Sequence, residues 1–278
     1  PMMINFTSGT TGEPKMVLHN QGYPLGHIIT ASLWQDLTPN DLHLTFSDTG
    51  WAKCAWGKIF GQWIAGACIF VYDIQGKFGA TELLPLIAKY EVTTFCAPPT
   101  VYRMLILADL DKFDFRNLRH CCSAGEPLNP EVIRVWQDGT GQPIYEGYGQ
   151  TETVCCIATF PCMEHKPGSM GRPVPGWHIE LHDDDGNPVG AGEEGKIAVS
   201  LNPRPVGLFM EYLDNPEANC ESFQNGFYYT GDKARMDEDG YLWFIGRSDD
   251  VIKSSGYRIG PFEVESALME HPAVQEAA

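Results

Sequence analysis

Three short runs with strand character, residues 92–97 (VTTFCA), 118–124 (LRHCCSA) and 144–148 (IYEGY), alternate with stretches of helical spacing. That alternation predicts a parallel α/β sheet. Each run stops at a turn signal: Pro98–Pro99 closes the first, and Gly125, Glu126 and Pro127 follow the second. Asn129 and Pro130 then supply an N-cap and a first-turn proline for a helix carrying Val132, Ile133, Val135 and Trp136. In such sheets ligands gather beyond the carboxyl ends of the strands. The loops at 125–127 and 149–152 are therefore expected to face one site.

Past Pro167 the pattern changes. Alternating segments at 177–181, 196–201 and 241–245 are separated by turns such as Asp185-Gly186-Asn187-Pro188 and Asp239-Gly240, which predicts antiparallel β, a small barrel or sandwich packed on the first part. A further shift comes at Arg247-Ser248-Asp249-Asp250, and a helix is expected from Gly260-Pro261 to His271-Pro272. The expected organisation is an α/β nucleotide- and acyl-binding region at 1–165, a β-barrel-like region at 166–247, and a hinge at 248–278 leading into a further domain. The chain opens at Pro1 and stops in an apolar run, so it reads as a piece of something longer.

Charge and cysteines narrow the function. A formal net charge of −17 repels polyphosphate backbones, so nucleic acid is not an expected partner. A small anion such as ATP is different, because local N–H donors and a metal ion outweigh the global field. The longest apolar stretch, 59–72, is interrupted by Gly61, Gln62 and Gly66. It falls short of the ~20 apolar residues a membrane span needs. No basic segment with a cleavage site precedes an apolar run, so no signal peptide is expected. The nine cysteines include two adjacent pairs and no C-x-x-C. They read as buried apolar residues in a reducing compartment, cytoplasm or an organelle matrix.

Residues 7–15, TSGTTGEPK, carry the chemistry. Glycines let a backbone turn tightly and present N–H groups to phosphate oxygens, hydroxyls add donors, and lysine supplies a charge. Thr7, Ser8, Gly9, Thr10, Thr11, Gly12 and Lys15 are thus the candidate phosphate loop. The spacing is not that of a Walker A loop, whose lysine directly follows the second glycine of G-x-x-x-x-G-K. A flexible polar turn is the plain alternative, and nine residues in this order are too specific for it.

The loop resembles the phosphate-binding signature of the adenylate-forming superfamily of acyl-CoA synthetases, luciferases and peptide-synthetase adenylation domains. Further segments occur in the same chain order. Gly125-Glu126-Pro127 resembles the segment bordering adenine, and Glu146-Gly147-Tyr148-Gly149-Gln150-Thr151-Glu152 the Y-G-x-T-E motif. Tyr229-Thr230-Gly231-Asp232 and Gly246-Arg247-Ser248-Asp249-Asp250 match Y-x-T-G-D and G-R-x-D-D, and Ser255-Gly256-Tyr257-Arg258-Ile259 is similar to S-G-x-R-I.

The resemblance implies an ATP-dependent acid–CoA ligase, in which a carboxylate attacks the α-phosphorus of ATP and pyrophosphate leaves. Residues 7–15 would hold the departing phosphates, Glu152 with help from Thr7 would bind Mg2+, and Thr151 would donate to the α-phosphate. Tyr148 offers a face to adenine. Asp232 would accept from the ribose hydroxyls beside Arg247, and Arg258 would reach the α-phosphate in one conformation. Asp249 stands at the hinge position, and Ser255 and Gly256 would border the pantetheine arm of CoA.

Ser47-Asp48-Thr49-Gly50-Trp51 and 101–105 are similar to the acetyl, medium-chain and benzoate branch. Acetyl enzymes carry a tryptophan directly before Q-T-E, where this chain has Gly149. The missing indole implies room for a medium-chain or aromatic acid, with Trp51, Ala124 and Gly149 as candidate pocket walls. The family's adenylation lysine lies beyond residue 278, so these residues alone are expected to bind nucleotide weakly and to catalyse neither half-reaction. The rival expectations are a carrier-protein acceptor in place of CoA, and a non-catalytic adenylate-binding module.

Overall fold

The computed structural model describes residues 1–7, 14–73, 79–248, 252–254, 257–259, 261–269, 271 and 273–274. The chain starts with an antiparallel hairpin of β1 (Met3–Phe6) and β2 (Met16–His19), with Phe6 opposite Met16. Next come β3 (Leu42–Thr45), β4 (Cys68–Ile69), β5 (Thr94–Ala97), β6 (His120–Ala124), β7 (Ile144–Tyr148), β8 (Ile157–Ala158) and β9 (Arg172–Pro173). They form one sheet in the order β4-β3-β5-β6-β7-β8-β9. From β4 to β7 the strands run parallel, and β8 and β9 are antiparallel additions.

The strand calls made from sequence run early at four places, for one reason: a turn takes the first residues. Val92 N bonds Ile87 O at the end of a helix, Leu118 N bonds Phe115 O, Trp177 N bonds Val174 O, and Tyr241 N bonds the Asp237 side chain. Two π-helical stretches, Thr30–Trp34 and Ala55–Ile59, have no sequence signal at all. The helix after β6, Pro130–Thr140, starts as expected. The Asn129 side chain accepts from Glu131 N at 2.8 Å, and Gly141 ends the helix at φ 77°. Its Trp136 is fully buried, with ring centroids of Tyr102 and Phe95 at 5.1 and 6.1 Å. This apolar layer holds one face of the parallel sheet.

The antiparallel region comprises β10 (Ile179–His182), β11 (Glu194–Ser200), β12 (Glu211–Tyr212), β13 (Phe223–Gln224), β14 (Phe227–Met236) and β15 (Leu242–Arg247). Strand β14 pairs with β11 on one side and with β13 and β15 along the other. Among the described residues β10 is not joined to the opposite edge, so the sheet is open there. Strand β12 leaves this sheet to pair with β2. One buried cluster, including Val17, Trp34, Cys122, Ile157, Ile197, Tyr228 and Leu242, packs all three sheets together. A ribbon of β16 (Ile252–Ser254) and β17 (Tyr257–Ile259) precedes the helix Pro261–Met269. All nine cysteines are free thiols, six of them buried.

The start of the parallel sheet hangs on Asp41, just before β3 and buried. Arg119 Nε and Thr93 Oγ1 each donate to Asp41 Oδ1 at 2.8 Å, while Thr38 N and Oγ1 donate to Oδ2 at 2.7 and 2.8 Å. Burial alone would raise this carboxyl's pKa, but the Arg119, Thr93 and Thr38 bonds outweigh it and hold the group below the ordinary range. A depressed pKa contributes stability above the unfolded value, lost as pH falls through the folded one. Asp41→Asn is therefore expected to cost roughly 2 kcal/mol at pH 7, with Arg119 half exposed to water. The difference from the native chain should shrink below pH ~4, as read by denaturant unfolding.

Candidate active site

The hairpin brings Thr7 and Lys15 together at its open end. Thr7 N donates to Lys15 O at 3.1 Å, and Lys15 N donates to Thr7 Oγ1 at 3.3 Å. Ser8, Gly9, Thr10, Thr11 and Gly12 lie outside the described residues. Lys15 Nζ sits 4.9 Å from the ring centre of Tyr212, which β12 places beside β2. Tyr212 in turn donates its hydroxyl to Glu152 Oε1 at 2.7 Å. Glu152 is buried, and its backbone is fixed by the Phe209 N–H on its carbonyl at 2.8 Å. Burial raises its pKa, with the Tyr212 bond and the Lys15 charge acting the other way. A carboxylate so placed gains from a cation. This is one corner of the cleft: a cation, a hydroxyl-bearing turn and a desolvated carboxylate. His19 Nε2 donates to the Thr151 carbonyl at 2.9 Å and ties the 149–152 loop to the hairpin.

Asp232, on β14, makes the second corner. Its Oδ2 accepts from Tyr148 Oη at 2.5 Å and from Gln150 Nε2 at 2.7 Å. Gln150 also donates to Thr230 O at 2.9 Å and accepts from the Tyr228 hydroxyl at 2.9 Å. Arg247 Nη1 lies 3.9 Å from Asp232 Oδ1, a long pair worth ~0–1 kcal/mol in isolation. Tyr148 thus presents its ring edge-anchored through the hydroxyl, which keeps the face in one orientation. These bonds join the end of β7 to the antiparallel sheet.

The third wall is made by Trp51, Ala52, Lys53, Ser123, Gly125, Glu126, Pro127 and Gly147. Glu126 pairs with Arg103 at 3.3 Å and accepts from Thr100. All three walls enclose one cleft of about 840 Å³. It brings together Thr7, Lys15, Trp51, Gly125, Glu126, Pro127, Glu146, Gly147, Tyr148, Gly149, Gln150, Thr151, Glu152, Asp232 and Arg247. Two sequence expectations need correction. Ala124 is buried and does not line the cleft, only its carbonyl being engaged there, by Lys53 Nζ at 2.8 Å. Nor does Gly149 leave space for an indole. A Cβ at 149 would stand 2.4 Å from the Val154 carbonyl oxygen, so backbone fills that direction. Asp249, Ser255 and Gly256 lie outside the described residues, and Arg258 is on β17 with a side chain outside them.

Sequence reasoning missed Tyr212, Lys53 and Tyr228. Tyr212 lies just before the helix-start signature Asn215–Pro216, whose Asn215 side chain accepts from Ala218 N at 3.0 Å, but that signature marks only the helix and not the contact with Glu152. Lys53 had one signal, a lysine inside an otherwise apolar run after Trp51. Tyr228 had none.

The AMP-binding enzyme family profile matches residues 1–213. Acyl-coenzyme A synthetase ACSM3, mitochondrial, of Rattus norvegicus is 52% identical over 279 residues, covering 100% of this chain and 48% of that protein. 4-Hydroxybutyrate–CoA ligase 1 of Metallosphaera sedula is 53% identical over 280 residues, covering 100% and 49%. The anthranilate CoA ligase AuaEII in complex with anthranoyl-AMP superposes at TM-score 0.89 and 34% identity, over 98% of this chain and 52% of that one. The chain spans about half the length of the curated relatives it matches.

Glu146 gives the cleft wall a testable electrostatic signature. It is buried, its Oε2 accepts from Gly168 N at 2.7 Å, and burial pushes its pKa up to about 8. The folded state then holds a proton that the unfolded chain releases near the ordinary carboxyl value. Stability on this account is full below pH ~4.5 and falls as pH rises toward 8. Glu146→Gln should flatten that decline, so thermal midpoints of variant and native protein diverge between pH 5 and 8.5, with the variant higher at the alkaline end.

Proposed function

This chain belongs to the AMP-binding enzyme family, and from that premise we propose that the protein is an ATP-dependent acid–CoA ligase working through an acyl adenylate. The observation that carries the reading is the single cleft: Thr7 and Lys15, Glu152, and Asp232 face the same space from three separate sheets or loops. Phosphoryl-transfer chemistry of this kind needs little covalent help from protein, only positioning and neutralised charge. Thr7 and Lys15 hold the departing β- and γ-phosphates. Asp232 receives the ribose, and Tyr148, with its hydroxyl fixed on Asp232, supplies the flat surface for the base beside Gly125, Glu126 and Pro127. Thr151 donates to the α-phosphate.

The donor set suits magnesium, a hard ion that takes one or two carboxylates together with phosphate oxygens. Among the described residues no three His, Cys, Asp or Glu converge on one point, and none is needed when phosphates complete the shell. Glu152, with Thr7 near it, would hold the ion, and its raised pKa is the mark of a carboxylate that a cation would re-ionise. Bound there, magnesium would draw charge from the phosphates as pyrophosphate departs.

The acid's carboxylate attacks the α-phosphorus and forms the acyl–phosphate bond as pyrophosphate leaves. In the second step the thiol of CoA, losing its proton, attacks the acyl carbonyl and AMP departs. CoA is favoured as acceptor over a carrier protein because relatives matching the whole chain are named as CoA synthetases and ligases. Asp249, Ser255 and Gly256 belong to that second step in this reading, while Arg258 reaches the α-phosphate in one conformation. The acid is proposed to be medium-chain or aromatic. An anthranoyl adenylate occupies one related structure, 34% identical, and a relative 53% identical is named for 4-hydroxybutyrate. A matrix or cytoplasmic location is the accompanying proposal, and no described helix is long and apolar enough to cross a membrane.

The test is acid-dependent ATP–pyrophosphate exchange by the full-length protein that carries these residues. Asp232→Ala should raise the KM for ATP by roughly 10- to 100-fold, the loss of charged hydrogen bonds to ribose. Glu152→Gln should instead lower kcat by about 100-fold at saturating ATP. Exchange that ignores added acids, or an unchanged KM for ATP in Asp232→Ala, would refute the assignment.

A further inference from the structure

Tyr212 touches both charges of the Glu152 corner. Its hydroxyl donates to Glu152 Oε1 at 2.7 Å, and its ring centre lies 4.9 Å from Lys15 Nζ. Lys15 is close enough for its charge to act on Glu152, yet among the described residues no ion pair joins the two. The backbone of Tyr212 is clamped from both sides by one side chain. Its N–H donates to Asn219 Oδ1 at 2.7 Å, and its carbonyl accepts from Asn219 Nδ2 at 2.8 Å. On β12 it stands opposite Val17 of β2, and its ring packs on Phe209 with centroids 4.8 Å apart. Phe209 N in turn holds the Glu152 carbonyl at 2.8 Å. The residue that bridges the two charges is thus fixed to the same frame as one of them.

A lysine and a buried carboxylate in one corner of a cleft attract strongly, because little water lies between them to screen the charges. Left to themselves they close into a salt bridge. A metal–triphosphate complex arriving there would first have to break that bridge and strand one charge of it. A tyrosine suits this place, since its ring face attracts a cation while its hydroxyl donates to a carboxylate. Neither contact cancels the charge it holds. We propose that Tyr212 is a positioning residue that keeps Lys15 and Glu152 apart, seating the first for the β- and γ-phosphates and the second for their magnesium ion. This inference rests on the acid–CoA ligase reading of the cleft and deepens it.

A tyrosine that only supports β12 would change metal and phosphate binding together. Calorimetric titration of the full-length protein with the β,γ-imido analogue of ATP separates the two roles, run once with manganese and once in EDTA. Tyr212→Phe keeps the ring and removes the hydroxyl. It should bind the analogue roughly 10-fold more weakly with manganese, yet stay within about twofold of the native protein in EDTA. Tyr212→Leu removes both contacts and lets Lys15 and Glu152 pair. Its binding should weaken in EDTA as well, by roughly 5- to 10-fold. A crystal structure of that variant should show Lys15 Nζ within about 4 Å of a Glu152 oxygen. Where Tyr212→Leu does not fold, the two Tyr212→Phe titrations decide alone. Equal weakening of Tyr212→Phe with and without manganese overturns the inference, as does native-like binding in both conditions. A Tyr212→Leu structure in which the two charges stay apart overturns it too. If the native protein binds the analogue in neither condition, the ligase reading itself fails and takes this inference with it.

Discussion

Two donors from one strand end meet one carboxylate oxygen on another sheet: Tyr148 Oη and Gln150 Nε2 both bond Asp232 Oδ2. The junction fixes how the parallel sheet and the antiparallel sheet sit against each other at the cleft. Tyr228 and Thr230 extend it into β14 through Gln150. Buried polar contacts of this kind fix one arrangement because any other leaves donors unmatched. The geometry of the cleft follows from it. Asp232 is held where β7 ends, and the loop that leaves β7 carries Gly149, Gln150, Thr151 and Glu152 along the same wall. At the far end Tyr212 repeats the device, bonding Glu152 from a strand that belongs to the hairpin sheet.

The consequence for chemistry is a division of labour by location. The corner at Glu152 is the one proposed to take phosphate and metal, with Lys15 and Thr7 lining the cleft beside a carboxylate that burial keeps from ionising easily. The corner at Asp232 is the one proposed to take the ribose hydroxyls, since a carboxylate offers only acceptors. The remaining wall mixes apolar and small residues, Trp51, Ala52, Pro127 and Gly147, with Lys53, Ser123 and Glu126. A nucleotide spanning the first two corners would leave its α-phosphate facing the third, which is the geometry that acid activation requires.

Much of this was legible in the chain itself, and the reasons differ by residue. Residues 144–148 form a strand with the bounds expected because Ile144, Tyr145 and Tyr148 favour extended backbone and the run is bounded by Pro143 and Gly149. Asn129–Pro130 starts a helix because both residues act locally. The grouping of Thr7, Glu152 and Asp232 came from motif order, not from any local rule. What was not legible depends on distant partners. Tyr212 reaches Glu152 only because β12 crosses to β2, and no periodicity encodes that pairing. The Gly149 expectation erred for a related reason: absence of a side chain suggested space, whereas the Val154 carbonyl occupies it. Small residues mark close approach as readily as they mark cavities.

The central claim is that the Thr7–Lys15 turn, Glu152 and Asp232 receive one nucleotide between them. A crystal structure of the protein with a non-hydrolysable ATP analogue and manganese, phased to show the metal's anomalous signal, measures this directly. The account predicts the metal within coordinating distance of Glu152, the β- and γ-phosphates against Thr7 and Lys15, and both ribose hydroxyls on Asp232. A nucleotide seated elsewhere, or one in this cleft with its ribose turned away from Asp232 and its metal away from Glu152, would contradict it.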